Sequence, residues 1–389
     1  MTVEQIYQIM NSVTEEMLGE SALVKEDLSN IVELGQQFES VVGLDNYVRR
    51  LPDHVGRVIF VNRTYNGRAP RVLMDGWEYG SILEKIAARI PDAVENEDWT
   101  LQDGASYDPN VFHSPDVFGA FWNKRTTFEI DMSITEDQVK SSFSSVTQLN
   151  GFLSMILNAI ETSLTIKLDA LIMRTINNMI GETLYAEVPG GTYTGRSGAK
   201  AVNLLYLYNT AMYGDTTASY ISADAALHTP EFIRFASYVM ANYVDRLKVA
   251  SNLFNIGGET RFTSGNDLHV VMLSEFKNAA AAYLQSDTFH NEYTALPDAE
   301  SVVYWQGSGT GYSFSDTGKV YITTASGHDV TATGVLAVMF DRDALGVCNQ
   351  ERKVNTHYNE KANFWNYFYK QFAGYFNDTN ENFVVFYIA

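Results

Sequence analysis

The stretch NFWNYFYKQFAGYF, residues 363–376, decides the fold. Eight of its fourteen residues are aromatic: Phe364, Trp365, Tyr367, Phe368, Tyr369, Phe372, Tyr375 and Phe376. No loop tip of a soluble monomer needs that density. As a strand the stretch separates into two faces, because successive side chains alternate. Phe364, Phe368 and Phe372 fall on one face, with Asn366 and Lys370 between them, and Trp365, Tyr367 and Tyr369 fall on the other. A helix would align Phe364, Phe368, Phe372 and Phe376 equally well, so periodicity alone leaves a tie. Aromatic density favours the strand.

The rest of the chain bounds what such a strand serves. With 389 residues, 46% of them hydrophobic, the chain is long enough for two or three structural units and a large core. Its 23 tyrosines and 22 phenylalanines are more than a core requires, and such rings suit places where one end is dry and the other meets polar groups, as at subunit interfaces. The formal charge of −20 lacks the basic footprint of a nucleic-acid binder. It serves solubility, and equally it suits a container that must not adhere to phosphate. The single cysteine, Cys348, forms no internal disulfide and fits a reducing compartment. The start, MTVEQIYQIMNSVTEEM, lacks the basic patch and apolar core of a secretory signal, and no run approaches the roughly 20 apolar residues that span a bilayer. These features predict a soluble cytosolic protein.

Moving outward from the aromatic stretch, the longest periodic segment begins near Thr147 and ends at Gly181, with Leu149, Leu153, Ile156, Ile160, Leu164, Leu168, Leu171 and Met179 at helical spacing. Gly181 is well placed as a stop, and Asn150-Gly151 is the weak point. Upstream, residues 66–132 read as a long hairpin-like excursion: RVLMDGWEYGSILEKI opens it, with an end open to helix, and DVFGAFWNKRTTFEIDMSI closes it, with Phe128, Ile130 and Met132 alternating as in a half-buried strand. Standing alone, such a hairpin is marginal and needs a surface to lie on; an ordinary antiparallel subdomain gives the same pattern. Thr135 and Gln138 form a capping-box pattern after it. Residues 1–50 carry amphipathic helical pieces, and Val58–Val61 a short strand before an Asn66-Gly67 turn. The glycine-rich PGGTYTGRSGAK, residues 189–200, marks a boundary. Beyond it Thr229-Pro230-Glu231 starts a helix with Phe232, Phe235, Ala236, Val239 and Tyr243 as its buried stripe, and LHVVML (268–273) and VLAVMF (335–340) read as strands on either side of a helix at SEFKNAAAAYLQ.

Motifs with chemistry are scarce. The seven histidines are scattered, with no H-E-x-x-H and no pair within a helical turn. Gly307-Ser308-Gly309-Thr310-Gly311 opens no helix that would hold a phosphate. The loop at 189–200 lacks the Gly-Lys-Ser/Thr ending of a P-loop, and Asp341-Arg342-Asp343 lacks the carboxylate that would complete a calcium loop, since Arg352 stands at its twelfth position. No G-x-S-x-G elbow occurs. The expectation is no catalytic residue, no metal and no cofactor.

The order of parts resembles the major capsid protein of tailed bacteriophages, the HK97 fold, with those of short-tailed phages as the nearest flavour. FHSPDVFGAFWNKRTTFEIDMSITEDQVKSSFSSVTQLNGFLSMILNAIE resembles the closing arm of that family's extended loop running into its spine helix. VLAVMFDRDALGV resembles the strand and turn near the end of its inserted domain, and NEKANFWNYFYKQFAGYF with NFVVFYIA its C-terminal strand pair. The resemblance covers residues 100–389 and only weakly the first 65. It implies an α+β fold with an N-terminal arm (1–65), an extended loop (66–132), a peripheral domain (133–200 and 346–389) holding a spine helix at 147–180, and an axial domain (201–345). It selects the strand for 363–376. On that strand the Phe face is expected to pack on the spine helix while Trp365, Tyr367 and Tyr369 meet polar partners or a neighbouring subunit; an arrangement with both faces in one monomer core fits the pattern equally well. Large rings in otherwise polar stretches add Trp99 and Phe112, near the loop's far end, and Trp122 as inter-subunit contacts; Trp122 fits an internal position equally well. The implied function is a non-enzymatic shell of pentamers and hexamers in a virion. Such a shell is assembled in the bacterial cytoplasm around double-stranded DNA that it does not bind sequence-specifically, with scaffolding, portal and decoration proteins as further partners and no membrane. A nanocompartment shell of the same fold and an unrecognised cytosolic enzyme are the alternatives.

Overall fold

One long helix organises the chain. The computed structural model describes residues 69–74, 83–91, 93, 103, 110, 112–135, 146–188, 193–286, 298–306 and 318–389. Helix α1 runs Val146–Glu187, on the order of 60 Å at 1.5 Å per residue. Asn150-Gly151 does not interrupt it, and Gly181 does not end it. A Cβ at Gly181 would stand 2.9 Å from Thr324 Cγ2 and 3.0 Å from Ile322 Cγ2, so the glycine is there to let a β-hairpin lie directly on the helix. Toward its C-terminal end most of α1 is buried, with Leu168, Leu171, Ile172, Ile176, Met179, Ile180 and Leu184 all in the core, while Arg174 and Ala186 stay open to solvent. Two of its asparagines reach the elements around it: Asn177 Nδ2 donates to the Trp305 carbonyl at 2.7 Å, and the Ala325 amide donates to Asn178 Oδ1 at 2.7 Å.

The strands form two sheets and two ribbons. Strands β1 (Leu73–Met74), β2 (Leu83–Ala88), β3 (Val117–Trp122) and β4 (Arg125–Thr135) precede α1. After it come β5 (Ala201–Asn203), helices α2 (Leu204–Tyr213), α3 (Ala223–Ala226) and α4 (Pro230–Leu247), β6 (Leu268–Leu273), α5 (Ser274–Ser286) and β7 (Glu300–Val302). The chain closes with β8 (Val320–Thr323), β9 (Asp329–Ala332), β10 (Val335–Asp341), β11 (Leu345–Asn359), β12 (Phe364–Asn377) and β13 (Phe383–Tyr387). A five-stranded sheet has the order β5-β13-β10-β6-β7, and a four-stranded sheet the order β1-β11-β12-β4. Strands β2 and β3 form one separate ribbon, β8 and β9 the other.

The five-stranded sheet is covered on both faces. Val271, Leu273, Val338, Phe340, Phe383 and Val385 pack in the cluster built on α1. The alternating residues Val270, Met272, Ala337, Met339, Val384 and Phe386 join the cluster of α2, α4 and α5. That is why VLAVMF and FVVFY are unbroken apolar runs rather than alternating ones. The last strand therefore does not pair with the aromatic stretch, as its place in a C-terminal strand pair implied. Strand β13 lies between β5 and β10, antiparallel to β10 and parallel to β5. The C-terminal end is fixed there: Asn203 Nδ2 donates to the Ala389 carbonyl at 2.9 Å, while its Oδ1 accepts the Tyr206 amide and caps α2. Beside it the Tyr387 hydroxyl donates to the Tyr193 carbonyl at 3.2 Å, and burial pushes that phenol up to about 12.

The stretch 363–376 is indeed a strand, β12, but its faces are the reverse of the expectation. Trp365, Tyr367 and Tyr369 are 1%, 1% and 4% exposed, while Phe364, Phe368 and Phe372 are half-buried. The neighbouring strands explain it. Trp365, Tyr367 and Tyr369 stand opposite Ile134, Met132 and Ile130 of β4, so the apolar half of β4 and the Trp/Tyr rings share one face and go inward together. The phenylalanines stand opposite polar residues, Phe368 between Asp131 and Asn355, Phe364 between Thr135 and Asn359.

Other expectations shift less. The opening arm of the excursion ends in strand β2, not a helix, because β3 offers it a full antiparallel partner. Helix α4 starts where Thr229-Pro230-Glu231 places it, though the Thr229 hydroxyl donates back to the Ala225 carbonyl instead of capping the helix. Its buried stripe is Phe232, Ile233, Ala236, Met240, Tyr243 and Leu247, with Phe235 and Val239 half-buried. The helical pieces of residues 1–50, the strand at 58–61, the Asn66-Gly67 turn, Gln138 of the capping box, and the 307–311 loop lie outside the described residues.

Candidate assembly surface

The β2–β3 ribbon projects one face to its own body and the other away from it. Burial alternates along both strands, with register pairs such as Ile86↔Gly119 and Glu84↔Phe121. Leu83, Lys85, Ala87, Phe118, Ala120 and Trp122 face inward. Glu84, Ile86, Ala88, Val117, Gly119 and Phe121 face outward, where Ile86 is 66% and Phe121 64% exposed. Ile90, Val117 and Phe112 are also among the exposed large apolar residues, Phe112 at 86%. Scattered surface apolar residues are ordinary, but a contiguous set on one strand pair marks a contact surface.

The inward face is held by rings and charges. Trp122 packs against Phe376 with ring centroids 5.1 Å apart, and its Nε1 donates to the Asn377 carbonyl at 3.1 Å. Lys85 Nζ lies 2.9 Å from Asp378 Oδ2 and 2.7 Å from Glu381 Oε1. Arg89 bridges Asp116, at 2.9 Å, and Glu259, also at 2.9 Å. Burial works to lower the Lys85 ammonium, but its hydrogen bonds to Glu381 and Asp378 outweigh that and leave it raised. Glu381 has only a share of that lysine, and burial, with Asp341 nearby, keeps its carboxyl above the usual range despite Lys85 and Arg261.

A second half-open surface is the outer face of the four-stranded sheet, where the Phe364, Phe368 and Phe372 row runs between polar ladders. Lys353 Nζ sits 5.7 Å from the Phe372 ring centroid. Among the described residues there is no group of three or more His, Cys, Asp or Glu side chains placed to hold a metal ion, and no helix long and apolar enough to cross a membrane.

The family model for the Phi29-like phage major capsid protein matches residues 10–387. This chain belongs to that family. As a major capsid protein it builds the head shell of a phage and resides in the virion. Its α+β architecture, with an extended ribbon ahead of a long helix, an α/β unit after it and strands returning at the end, is the HK97-like arrangement that the sequence resembled. No curated protein matches it significantly. Solved structures similar to it include the capsid of Staphylococcus phage Andhra, at 11% identity over 84% of this chain and 87% of that one, TM-score 0.47. They also include the capsid of cyanophage P-SCSP1u, at 11% over 85% and 94%, TM-score 0.45. The mature capsid of bacteriophage PhiM1 is similar at 9% over 84% and 87%, TM-score 0.41. The assignment rests on the family model.

Within the capsid protein the residues singled out from the sequence part company. Phe112 is exposed. Trp122 faces its own chain through Phe376 and Asn377. Trp365, Tyr367 and Tyr369 are buried in the single chain. Trp99 lies outside the described residues. Sequence reasoning missed Ile86, Val117 and Phe121. The signal for Val117 and Phe121 was in VFGAFW, whose large residues occupy both faces of a strand pair that has only one body to pack on.

Proposed function

We propose that each copy of this capsid protein is a tile in five- and sixfold rings, and that the outward face of its ribbon rests on an adjacent copy. The observation that carries this is the exposed Ile86, Val117 and Phe121 row on a ribbon whose other face is already committed to its own body. A two-stranded ribbon gains stability from a surface to lie on, and weak contacts repeated around each subunit sum to a stable shell. In this proposal residues 1–65 act as an arm, 66–132 as the overlapping loop, 133–200 with 346–389 as the peripheral domain, and 201–345 as the axial domain near the ring centre. Phe112 belongs to the contact between copies. The Phe364–Phe372 row, rather than the Trp/Tyr row, is the part of β12 that a neighbour meets.

The shell's role is structural, not catalytic. Its charge of −20 repels phosphate, which supports enclosure of double-stranded DNA without sequence-specific binding. Scaffolding, portal and decoration proteins are the further partners of such a shell. Protection of a single introduced thiol tests the ribbon contact. Cys348 is buried, so a Phe121→Cys variant has one accessible thiol. It should react with a maleimide before assembly and at least tenfold more slowly in assembled particles; equal rates in both states would remove the ribbon from the contact.

A further inference from the structure

The root of the ribbon carries more charge than a structural hairpin needs. Its strands form no backbone hydrogen bond to another element among the described residues, because β2 pairs only with β3. What joins it to the body is side chains. Lys85 reaches two carboxylates of the turn 378–382, with Asp378 and Glu381 side chains 2% and 12% exposed. That turn is itself clamped: the Asp378 amide donates to the Ala344 carbonyl at 2.7 Å, and the Ile256 and Gly257 amides both donate to the Thr379 carbonyl. Arg261 Nε stands 3.5 Å from the same Glu381 Oε1, and its guanidinium is 5.3 Å from the Phe118 ring on the ribbon. Arg89 approaches that ring at 5.7 Å while paired to Asp116 and Glu259. The charged groups along the inward face are thus Lys85, Arg89 and Asp116 from the ribbon, and Glu259, Arg261, Asp378 and Glu381 from the body, with Asp341 also acting on Glu381.

We infer that this cluster is a charge latch: Lys85, locked between Asp378 and Glu381, fixes the direction of the ribbon, and loss of that one charge frees the ribbon while the body stays folded. Removing Lys85 leaves Asp378 and Glu381 buried without their shared cation, with Arg261 beside Glu381 alone, which is costlier than losing a surface pair. The attachments that remain are Trp122 on Phe376 at one end and Arg89 on Glu259 at the other; the Arg89 side chain is half exposed, and an exposed pair contributes little. The latch is a property of the single chain and does not depend on the proposed contact between copies.

Hydrogen exchange of the unassembled full-length chain tests it. Lys85→Met should speed exchange of the amides in 83–88 and 117–122 by tenfold or more, with strands 268–273 and 335–341 unchanged. Lys85→Arg, which keeps the charge, should stay within about threefold of the unaltered protein, and Glu381→Gln should fall between because Asp378 remains. Ribbon exchange that is the same in Lys85→Met and the unaltered chain overturns the latch, as does an equal rise in the body strands. Because the measurement uses unassembled protein, it fails or succeeds separately from the thiol-protection test of the ribbon contact.

Discussion

Replacing Ile86 with threonine and Phe121 with lysine leaves the capsid protein folded and stops it from closing shells at concentrations where the unaltered chain assembles. The substitutions are chosen for the ribbon. Threonine keeps the β-branched side chain that a strand favours, and it stands opposite Gly119. Lysine at position 121 stands opposite Glu84, so it gains an opposite-charge cross-strand pair. A glutamate there would add repulsion and confuse a folding defect with an assembly defect. Both side chains are well over half exposed in the single chain, so their loss costs the monomer little. Burying a Phe or Ile side chain contributes about 1.5–3 kcal/mol, so two such losses remove roughly 3–6 kcal/mol per contact. Each 1.4 kcal/mol is a factor of ten in affinity, and the threshold concentration for assembly should rise at least about a hundredfold. Sedimentation of the purified variant across a concentration series reads this directly, with circular dichroism as the check on folding. An unchanged threshold would mean the ribbon's outer face is not a contact.

The largest loss of stability is expected at Trp305. It is fully buried in the cluster around α1. It is tied at both its backbone and its ring: its carbonyl accepts from Asn177 Nδ2 at 2.7 Å, and its Nε1 donates to the Val335 carbonyl at 2.8 Å. Trp305→Ala removes the packing of the ring and the partner of Val335 together, at a cost of about 3–5 kcal/mol, a large fraction of the roughly 5–15 kcal/mol that keeps a domain folded. Trp305→Phe keeps most of the volume and loses the hydrogen bond, at about 1–3 kcal/mol. Urea unfolding should rank unaltered protein, Trp305→Phe and Trp305→Ala in that order. An alanine variant that unfolds with the unaltered midpoint would show that this junction of helix and sheet does not carry the core.

The features legible in the sequence were those that a strong period or a continuous run records. The strands at 268–273 and 335–340 and helix α4 were readable within a few residues, and helix α1 at its start, though it runs on past Gly181 to Glu187. What was not readable depended on neighbours. Gly181 looked like a helix stop because glycine often is one; its role, making room for Thr324 and Ile322, exists only once the hairpin lies on the helix. The inner face of β12 could not be chosen from β12 alone, since both of its faces carry rings. The choice is made by Ile130, Met132 and Ile134, more than two hundred residues earlier in the chain. The same holds for the ribbon, whose root is set by Lys85 meeting Asp378 and Glu381, a pairing that spacing does not announce. The aromatic density at 363–376 was a correct sign of a packed strand and no guide to which of its rings are buried.

Cryo-electron microscopy of particles formed by the unaltered chain, expressed alone and with its genomic neighbours, tests the central claim most directly. The account predicts closed shells of five- and sixfold rings in which Ile86 and Phe121 of each copy are covered by the adjacent copy. A chain that stays a compact monomer under every condition, or shells in which that face of the ribbon points into solvent, would contradict it.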